Sequence, residues 1–525
     1  MPRPKPLLLT ILDGFGVNPE QDGNPVAHAK TPTLNFIERN FPFATLQASG
    51  VAVGLPWGEA GNSEVGHLTM GAGRVIYHHL PRIIGSIADG SFFENEALKK
   101  AAEHVRQNNS NLHIAGLISS GSVHSYIDHL YALLDFTKKE NIKPVFIHIF
   151  SDGKDAPPKE GAQFLKTLEE RIKKDWPYAR FASIIGRFYG MDRDENWDRT
   201  ASAYKLLTQG TSEKITSVSE YLAVVYQKDL TDTFVPPAIV VNDGEEPLAI
   251  IQANDALIFS DFREDSMRQI AHAFVDESFD HFAREKIPNL LVVTMTEYEK
   301  NLSACAAFPA LDIVNPLARV IGEAGLRQLH IAETEKYAHV TYFFNGGVEK
   351  PMSGEDRILI ASTPTAHFDE TPEMKAAEIT EKIIANLGQY DVIIANLANT
   401  DMVGHSGNFN AAVRAVEVVD ESLGKLITAI LNADGVMVIT ADHGNIELKR
   451  NMITGEKLTE HSLNPVPCII IGNDYKLSAP RDEATLTKIK REASGILTDV
   501  APTIIELLEL KKPAEMTGKS LLITI

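Results

Sequence analysis

The stretch Leu7-Leu8-Leu9-Thr10-Ile11-Leu12-Asp13-Gly14 decides the reading of the fold. Its apolar run is short and ends at an acid. That predicts a buried strand with Asp13 at its carboxyl end, of the kind covered on both faces in a parallel sheet. Two distant stretches repeat the pattern. Asp391–Leu397 runs into Ala-Asn-Thr-Asp401-Met-Val-Gly-His405, and Val436–Thr440 runs into Ala441-Asp442-His443-Gly444-Asn445. Ligand sites in open parallel sheets gather outside the carboxyl ends of the strands. Asp13, Asp401 and Asp442 are therefore expected to meet in space.

Outward from these strands, the chain alternates short apolar runs with helical stretches. Further strands are expected at Leu112–Ile118, Val145–Phe150, Phe181–Ile185, Ala256–Phe259, Leu290–Met295, Gln328–Ala332 and Thr341–Phe344. Helices are expected at Thr31–Asn40, where a Thr-Pro pair suits an N-cap and first helical position, at Asn410–Asn432 and at Asp499–Leu510. The alternation argues for an α/β fold with mainly parallel sheets. The acidic motifs lie near the two chain ends, and the segment between them carries mostly Arg, Lys and His. The economical arrangement is one discontinuous domain, residues 1–77 and 313–525, interrupted by an inserted domain, residues 78–312.

Composition excludes several classes. With 525 residues, 44% hydrophobic and 23% charged, the chain is neither disordered, collagenous nor a coiled coil. Fifty basic against seventy acidic residues leave a formal charge of −20. That field repels nucleic acid and anionic membranes, and any small anionic substrate needs a local basic site. Two cysteines, Cys305 and Cys468, form no disulfide framework and read as small buried hydrophobes in a reducing compartment. No stretch approaches the roughly 18 apolar residues of a membrane span. The basic MPRPKP start with its short apolar run does not read as a secretion signal. A cytoplasmic location is expected.

Carboxylate oxygen and neutral imidazole together suit Mn²⁺ or Zn²⁺. Asp13, Asp401, His405, Asp442 and His443 exceed one tetrahedral shell, which favours two ions. A two-metal site clamps both the attacking and the leaving oxygen of a phosphoryl group. A lone Asp at a strand end is usually a cap or turn residue, but the repetition here points to metal. Gly61-Asn62-Ser63-Glu64-Val65-Gly66-His67 is neither a G-x-S-x-G elbow nor a P-loop. Beside a two-metal site, Ser63 becomes a candidate metal-activated nucleophile.

Together these motifs resemble the cofactor-independent (2,3-bisphosphoglycerate-independent) phosphoglycerate mutases, two-domain enzymes of the alkaline phosphatase superfamily. The resemblance runs through LDGFG at 12–16, GNSEVGH at 61–67, SDGKDAPP at 151–158 and GRFYGMDRD at 186–194. It continues through MTEYE at 295–299, ETEKYAHVTYFFNGG at 333–347, DMVGHSG at 401–407 and TADHGNIE at 440–447. It implies one Mn²⁺ on Asp401, His405 and His461, and another on Asp13, Ser63, Asp442 and His443, with Zn²⁺ or Co²⁺ as alternatives. It also implies transient phosphorylation of Ser63 and no need for 2,3-bisphosphoglycerate. Asp155 and Lys336 would serve catalysis, and His124, Lys154, Asp155, Arg187, Arg193, Arg263 and Lys336 would hold the phosphoglycerate. Family members are usually monomers, and no nucleic-acid or membrane partner is expected.

Two positions depart from the family pattern. Lys154 stands where the family usually has Arg, which replaces a planar fork by a point charge. Ser266 stands where the family has a second Arg three residues after the first, Arg263. Arg268 is either a replacement for that charge or a solvated surface arginine. Rival readings are a phosphomonoesterase or phosphopentomutase of the same superfamily and a non-catalytic protein that retains the fold.

Overall fold

The computed structural model describes residues 6–243, 245–451 and 453–523. The first five residues, part of the segment read as no secretion signal, lie outside the described residues. The chain divides into two compact units, one of residues 1–78 and 311–525, the other of residues 79–310.

In the first unit an eight-stranded sheet has the order Glu355–Ile360, Gln328–Glu333, Val392–Leu397, Leu7–Leu12, Val436–Thr440, Val466–Ile471, Phe43–Gln47, Gly495–Ile496. All neighbours pair parallel except Val466–Ile471, which is antiparallel to both of its own. Every residue of Leu7–Leu12 is fully buried. Its side chains share a core with Ile379 and Ile383 of the helix Ala376–Asn386, Val416 and Leu423 of Phe409–Asn432, and Ile504 of Val500–Leu507. Each such buried Leu or Ile contributes roughly 1.5–3 kcal/mol. Register then fixes the site. Leu12 pairs with Leu397 and Ile11 with Thr440, so Asp13 emerges level with Asp442 and beside the start of the Asp401 segment.

The second unit holds another eight-stranded sheet, ordered Cys305–Phe308, Leu291–Thr296, Ala256–Phe259, Leu112–Leu117, Val145–Ser151, Ala179–Gly186, Ala238–Val240, Glu213–Ile215. Only the Ala179–Gly186 and Ala238–Val240 pair is antiparallel.

Two expectations need correction, those for Thr341–Phe344 and Cys305. Thr341–Phe344 is not a strand. The helix Thr334–Ala338 continues into a wide turn, His339–Phe343, in which Phe344 N donates to His339 O at 3.0 Å. Val340 and Phe344, four apart, are both fully buried, so β-branched and aromatic residues here line a helical face. As expected, Thr31 is the N-cap residue of the helix Pro32–Asn40 and Pro32 its first helical residue, although the Thr31 side chain makes no capping hydrogen bond. Thr33 N and Leu34 N donate instead to the Asp420 carboxylate, at 3.1 and 2.7 Å. Cys468 is fully buried, and burial pushes its thiol up to about 12. Cys305 is only half-buried, 3.4 Å from Lys100 Nζ. Among the described residues no helix is long and apolar enough to cross a membrane.

Candidate active site

In the first unit the three acids do meet. Asp13 and Asp442 are fully buried and Asp401 is 2% exposed. Gly14 has φ +69°, and a side chain on it would strike Asp401, so the turn after the first strand needs glycine. Its N–H donates to Asp442 Oδ1 at 3.0 Å, as does that of His443.

Ser63 opens the helix Ser63–Ala72, whose N-cap Asn62 accepts from Val65 N at 2.9 Å. A helix N-terminus favours anions. Ser63 Oγ donates to Asp13 Oδ1 at 3.1 Å and lies 3.1 Å from His443 Nε2. Lys336 Nζ donates to Ser63 Oγ at 2.7 Å and lies 2.6 Å from both Asp13 Oδ1 and Asp401 Oδ2. Burial pushes the Lys336 ammonium down, but Asp13, Asp401 and Asp442 outweigh it and raise its pKa. Asp401, despite burial, is held well below the usual carboxylate range, chiefly by the Lys336 ammonium. Burial and repulsion from Asp442 push Asp13 up.

The three histidines share a device. His405 Nδ1 lies 2.9 Å from Thr459 O, His461 Nδ1 lies 2.7 Å from Gly61 O and His443 Nδ1 lies 3.3 Å from Gly444 O. Donation of Nδ1–H to a carbonyl leaves Nε2 as a lone-pair donor. Those Nε2 atoms converge. His405 and His461 Nε2 are each 3.3 Å from Asp401 Oδ1, and His443 Nε2 is 3.7 Å from Asp13 Oδ1 and 3.9 Å from Asp401 Oδ1.

Sequence reasoning missed the residues that hold this set. Asn396 Nδ2 donates to Asp13 Oδ2 at 2.7 Å, and His67 Nδ1 lies 2.8 Å from Ser63 O. Asn445 Nδ2 donates to Asp401 Oδ1 at 2.7 Å. Glu447, fully buried, accepts from Gly16 N, Asn445 N, Asn464 Nδ2 and Ser462 Oγ. Lys449 Nζ donates to Asn445 Oδ1 and to Gly404 O. Asn396 had a signal, a polar residue inside an apolar strand. Glu447 and Lys449, in irregular chain, had none.

In the second unit His124, Asp155, Arg187 and Arg263 likewise follow strand carboxyl ends. Arg187 NH1 donates to Asp152 Oδ1 at 2.6 Å and lies 2.9 Å from Asp155 Oδ2. His124 Nε2 is 3.9 Å from that same oxygen. Burial and Arg187 together lower the His124 pKa. Arg193 NH1 and Arg263 NH2 converge on Asp265 Oδ2, at 2.6 and 3.0 Å. Lys154 is exposed, and its backbone N–H donates to Asp152 Oδ1 at 3.0 Å. Asp152 and Asp265 were not anticipated, although Asp152 in Ser-Asp-Gly-Lys-Asp has the form of a turn acid that accepts from N–H groups two and three residues on.

A family model for the metalloenzyme superfamily matches residues 5–512. The 2,3-bisphosphoglycerate-independent phosphoglycerate mutase of Moorella thermoacetica is 46% identical over 520 residues, 99% of this chain and 98% of that one. A mutase of the same name from Methanosarcina barkeri is 47% identical over 526 residues, with the same coverage. The chain belongs to the 2,3-bisphosphoglycerate-independent phosphoglycerate mutase family. Among solved structures, Leishmania mexicana phosphoglycerate mutase at low cobalt concentration matches with TM-score 0.56 and 31% identity, covering 99% of this chain and 98% of that one.

Divalent-metal dependence accompanies membership of this metalloenzyme family, and the donor set fits it. Asp401, His443 and His461 form one cluster of potential ligand atoms, and Asp13, His67 and Asp442 another. Asp442 Oδ2 is buried and accepts no hydrogen bond. Three buried carboxylates face one lysine, a deficit that cations relieve. Of the departures from the mutase pattern, Ser266 turns its hydroxyl onto Asp265 Oδ1 at 3.2 Å. Arg268 Nε donates to Tyr298 O at 2.8 Å, and its NH2 lies 3.9 Å from Glu264 Oε1.

Proposed function

We propose that the chain interconverts 3-phosphoglycerate and 2-phosphoglycerate through a phosphoserine on Ser63, with two divalent ions, Mn²⁺ first, and without 2,3-bisphosphoglycerate. The observation that carries this reading is the convergence of Asp13, His443 and Lys336 on Ser63 Oγ at a helix N-terminus. Asp401, His405 and His461 would hold one ion, and Asp13, Ser63, Asp442 and His443 the other. Bound there, the ions supply Lewis-acid stabilisation of phosphoryl oxygens and favour ionisation of the serine.

The chain's own residues do the rest. Asp13 Oδ1 accepts the Ser63 hydroxyl hydrogen and so orients Oγ for attack. The Oγ–phosphorus bond forms as the bond to the glycerate 3-oxygen breaks. Lys336 stabilises charge on Oγ and on the transferring group. Asp155 manages the glycerate protons: the 3-oxygen takes one up as it leaves, and the 2-hydroxyl gives one up as it attacks phosphoserine. Arg187, Arg193, Arg263, Lys154 and His124 hold the anion, whose retention separates a mutase from a phosphatase. The same reading makes the protein a cytoplasmic monomer without nucleic-acid or membrane partners.

The test offers 3-phosphoglycerate with Mn²⁺ and follows 2-phosphoglycerate and free phosphate together. Isomerisation with little phosphate release, lost in Ser63→Ala, is expected. Rapid phosphate release without 2-phosphoglycerate overturns the mutase reading, and near-normal turnover in Ser63→Ala overturns the phosphoserine.

A further inference from the structure

Asp265 sits at the middle of the second unit's cationic cluster. Arg193 NH1 donates to its Oδ2 at 2.6 Å, and Arg263 Nε and NH2 donate to the same oxygen at 3.2 and 3.0 Å. Its other oxygen accepts from Ser266 N at 2.8 Å and Ser266 Oγ at 3.2 Å. Near that oxygen, at 3.9 Å, lies His124 Nδ1, a buried nitrogen with no hydrogen-bond partner. One carboxylate thus takes up two guanidiniums otherwise free to receive an anion. Both arginines can turn: their side chains are 51% and 43% exposed, against 29% for Asp265.

The charge balance sharpens the point. Arg187, Arg193 and Arg263 pair with Asp152, Asp155 and Asp265, and counting the exposed Lys154 the candidate cations exceed these acids by a single positive charge. A phosphorylated carboxylic acid brings about three negative charges at neutral pH. Ser266 adds no charge and fastens the carboxylate in place.

We propose that Asp265 is a specificity-determining residue, an internal occupant of the anion seat formed by Arg193 and Arg263 that phosphorylated substrate must displace. This rests on the functional reading above. An arginine fork pairs equally well with carboxylate or phosphate, so the two compete for one geometry. The competition disfavours singly charged anions, which offer too little to displace Asp265, and passes substrates with two anionic groups.

The experiment is Asp265→Asn, which keeps the acceptor for Ser266 N while removing the charge. Release of two partly exposed ion pairs is expected to lower KM for 3-phosphoglycerate roughly three- to tenfold, with kcat changed less than twofold. The gain shrinks as salt rises, because screening weakens the internal pairing most. Inorganic phosphate, measured by calorimetry on wild type and variant, binds the variant more tightly by a similar factor. A KM that rises or stays level, with phosphate bound no more tightly, overturns the proposal and makes Asp265 a positioning group for the arginines. If the wild type makes no 2-phosphoglycerate, the functional reading fails, and the phosphate titration still decides the role of Asp265. Asp265→Ser repeats the measurement should the asparagine variant not fold.

Discussion

Replacing Lys449 by Met separates stability from metal affinity. Lys449 is 1% exposed, and its Nζ donates to Gly404 O at 3.2 Å, to Glu460 O at 3.5 Å and to Asn445 Oδ1. Each acceptor is a neighbour of a candidate ligand: Gly404 precedes His405, Glu460 precedes His461, and Asn445 follows His443 by two and donates to Asp401. Burial pushes the ammonium down to about 8 against the pull of Glu447 and Asp401, from an ordinary 10.5. That depression corresponds to about 3 kcal/mol held against folding at neutral pH. Methionine recovers it, roughly fills the volume, and leaves three acceptors dry at about 1–3 kcal/mol each. The two carbonyl contacts are long, so their loss falls at the low end. The net change in stability is then a loss of about 0–3 kcal/mol. The loops, however, lose a group that contacts all three of them at once. Loss of such an outer-shell support lowers metal affinity about 10- to 100-fold. Mn²⁺ titration against a chelating dye measures that term, and melting with and without Mn²⁺ measures the other. The expected result is a weak Mn²⁺ complex, a small shift in the metal-free melt and a reduced metal-induced rise in Tm. Unchanged Mn²⁺ affinity, with equal losses of Tm in both states, would show that Lys449 only packs.

Lys336→Met removes the ammonium between Asp13 and Asp401 and should cut kcat about 10²- to 10³-fold; it should also destabilise the metal-free protein by about 3–5 kcal/mol, read by denaturant titration, because buried carboxylates lose their counter-charge. Gly66→Ala puts a Cβ 2.5 Å from Asp442 O, so the Ser63 helix must shift, and kcat for isomerisation should fall about 10²-fold with KM changed little. Asp261 is fully buried, and burial raises its carboxyl to about 7, although it accepts from Leu117 N. A carboxyl raised above its unfolded value favours folding below the unfolded pKa, and that contribution is lost as pH rises through about 7. Asp261→Asn should therefore match wild type near pH 4 and exceed it by roughly 3–5 kcal/mol at pH 8 in chemical denaturation; parallel curves would refute the burial argument.

What was legible in the sequence is what repeats or carries a period. Leu7–Leu12, Ala256–Phe259 and Val436–Thr440 stand at the ranges their apolar runs indicate, because a strand buried on both faces must be apolar throughout. The acids that follow the strands were legible for the same reason, since charge cannot stay inside the run. Thr341–Phe344 misled because β-branched and aromatic residues suit any buried surface, and the helix Thr334–Ala338 continues directly into this segment. Val466–Ile471 and Phe43–Gln47 were missed although they carry the antiparallel side of the sheet. Phe43–Gln47 is short, with Thr45 at its centre and Gln47 at its end, and Val466–Ile471 holds a proline and a cysteine. His461 entered only through resemblance. Its Nδ1 contact with Gly61 O joins residues 400 apart in sequence, a pairing no local pattern encodes. Glu447 and Lys449 were silent because their role is to tie loops together.

The formal charge of −20 hides two unlike sites. In the first unit, Asp13, Asp401 and Asp442 exceed Lys336 by two charges, and that excess is buried where water cannot screen it. Cations stabilise such a cluster, so the nucleophilic serine and the demand for metal come from the same residues. In the second unit's anion pocket, Lys154, Arg187, Arg193 and Arg263 exceed Asp152, Asp155 and Asp265 by one, and most of these cations are partly exposed, a balance that holds the arginines in place yet yields to a more highly charged ligand. If Asp265 were absent, the excess would rise to two, and small inorganic anions would bind a site that must stay open for substrate. The acid in the anion pocket and the acids around the serine therefore serve opposite ends. One keeps weak ligands out, and the others make a strong ligand necessary.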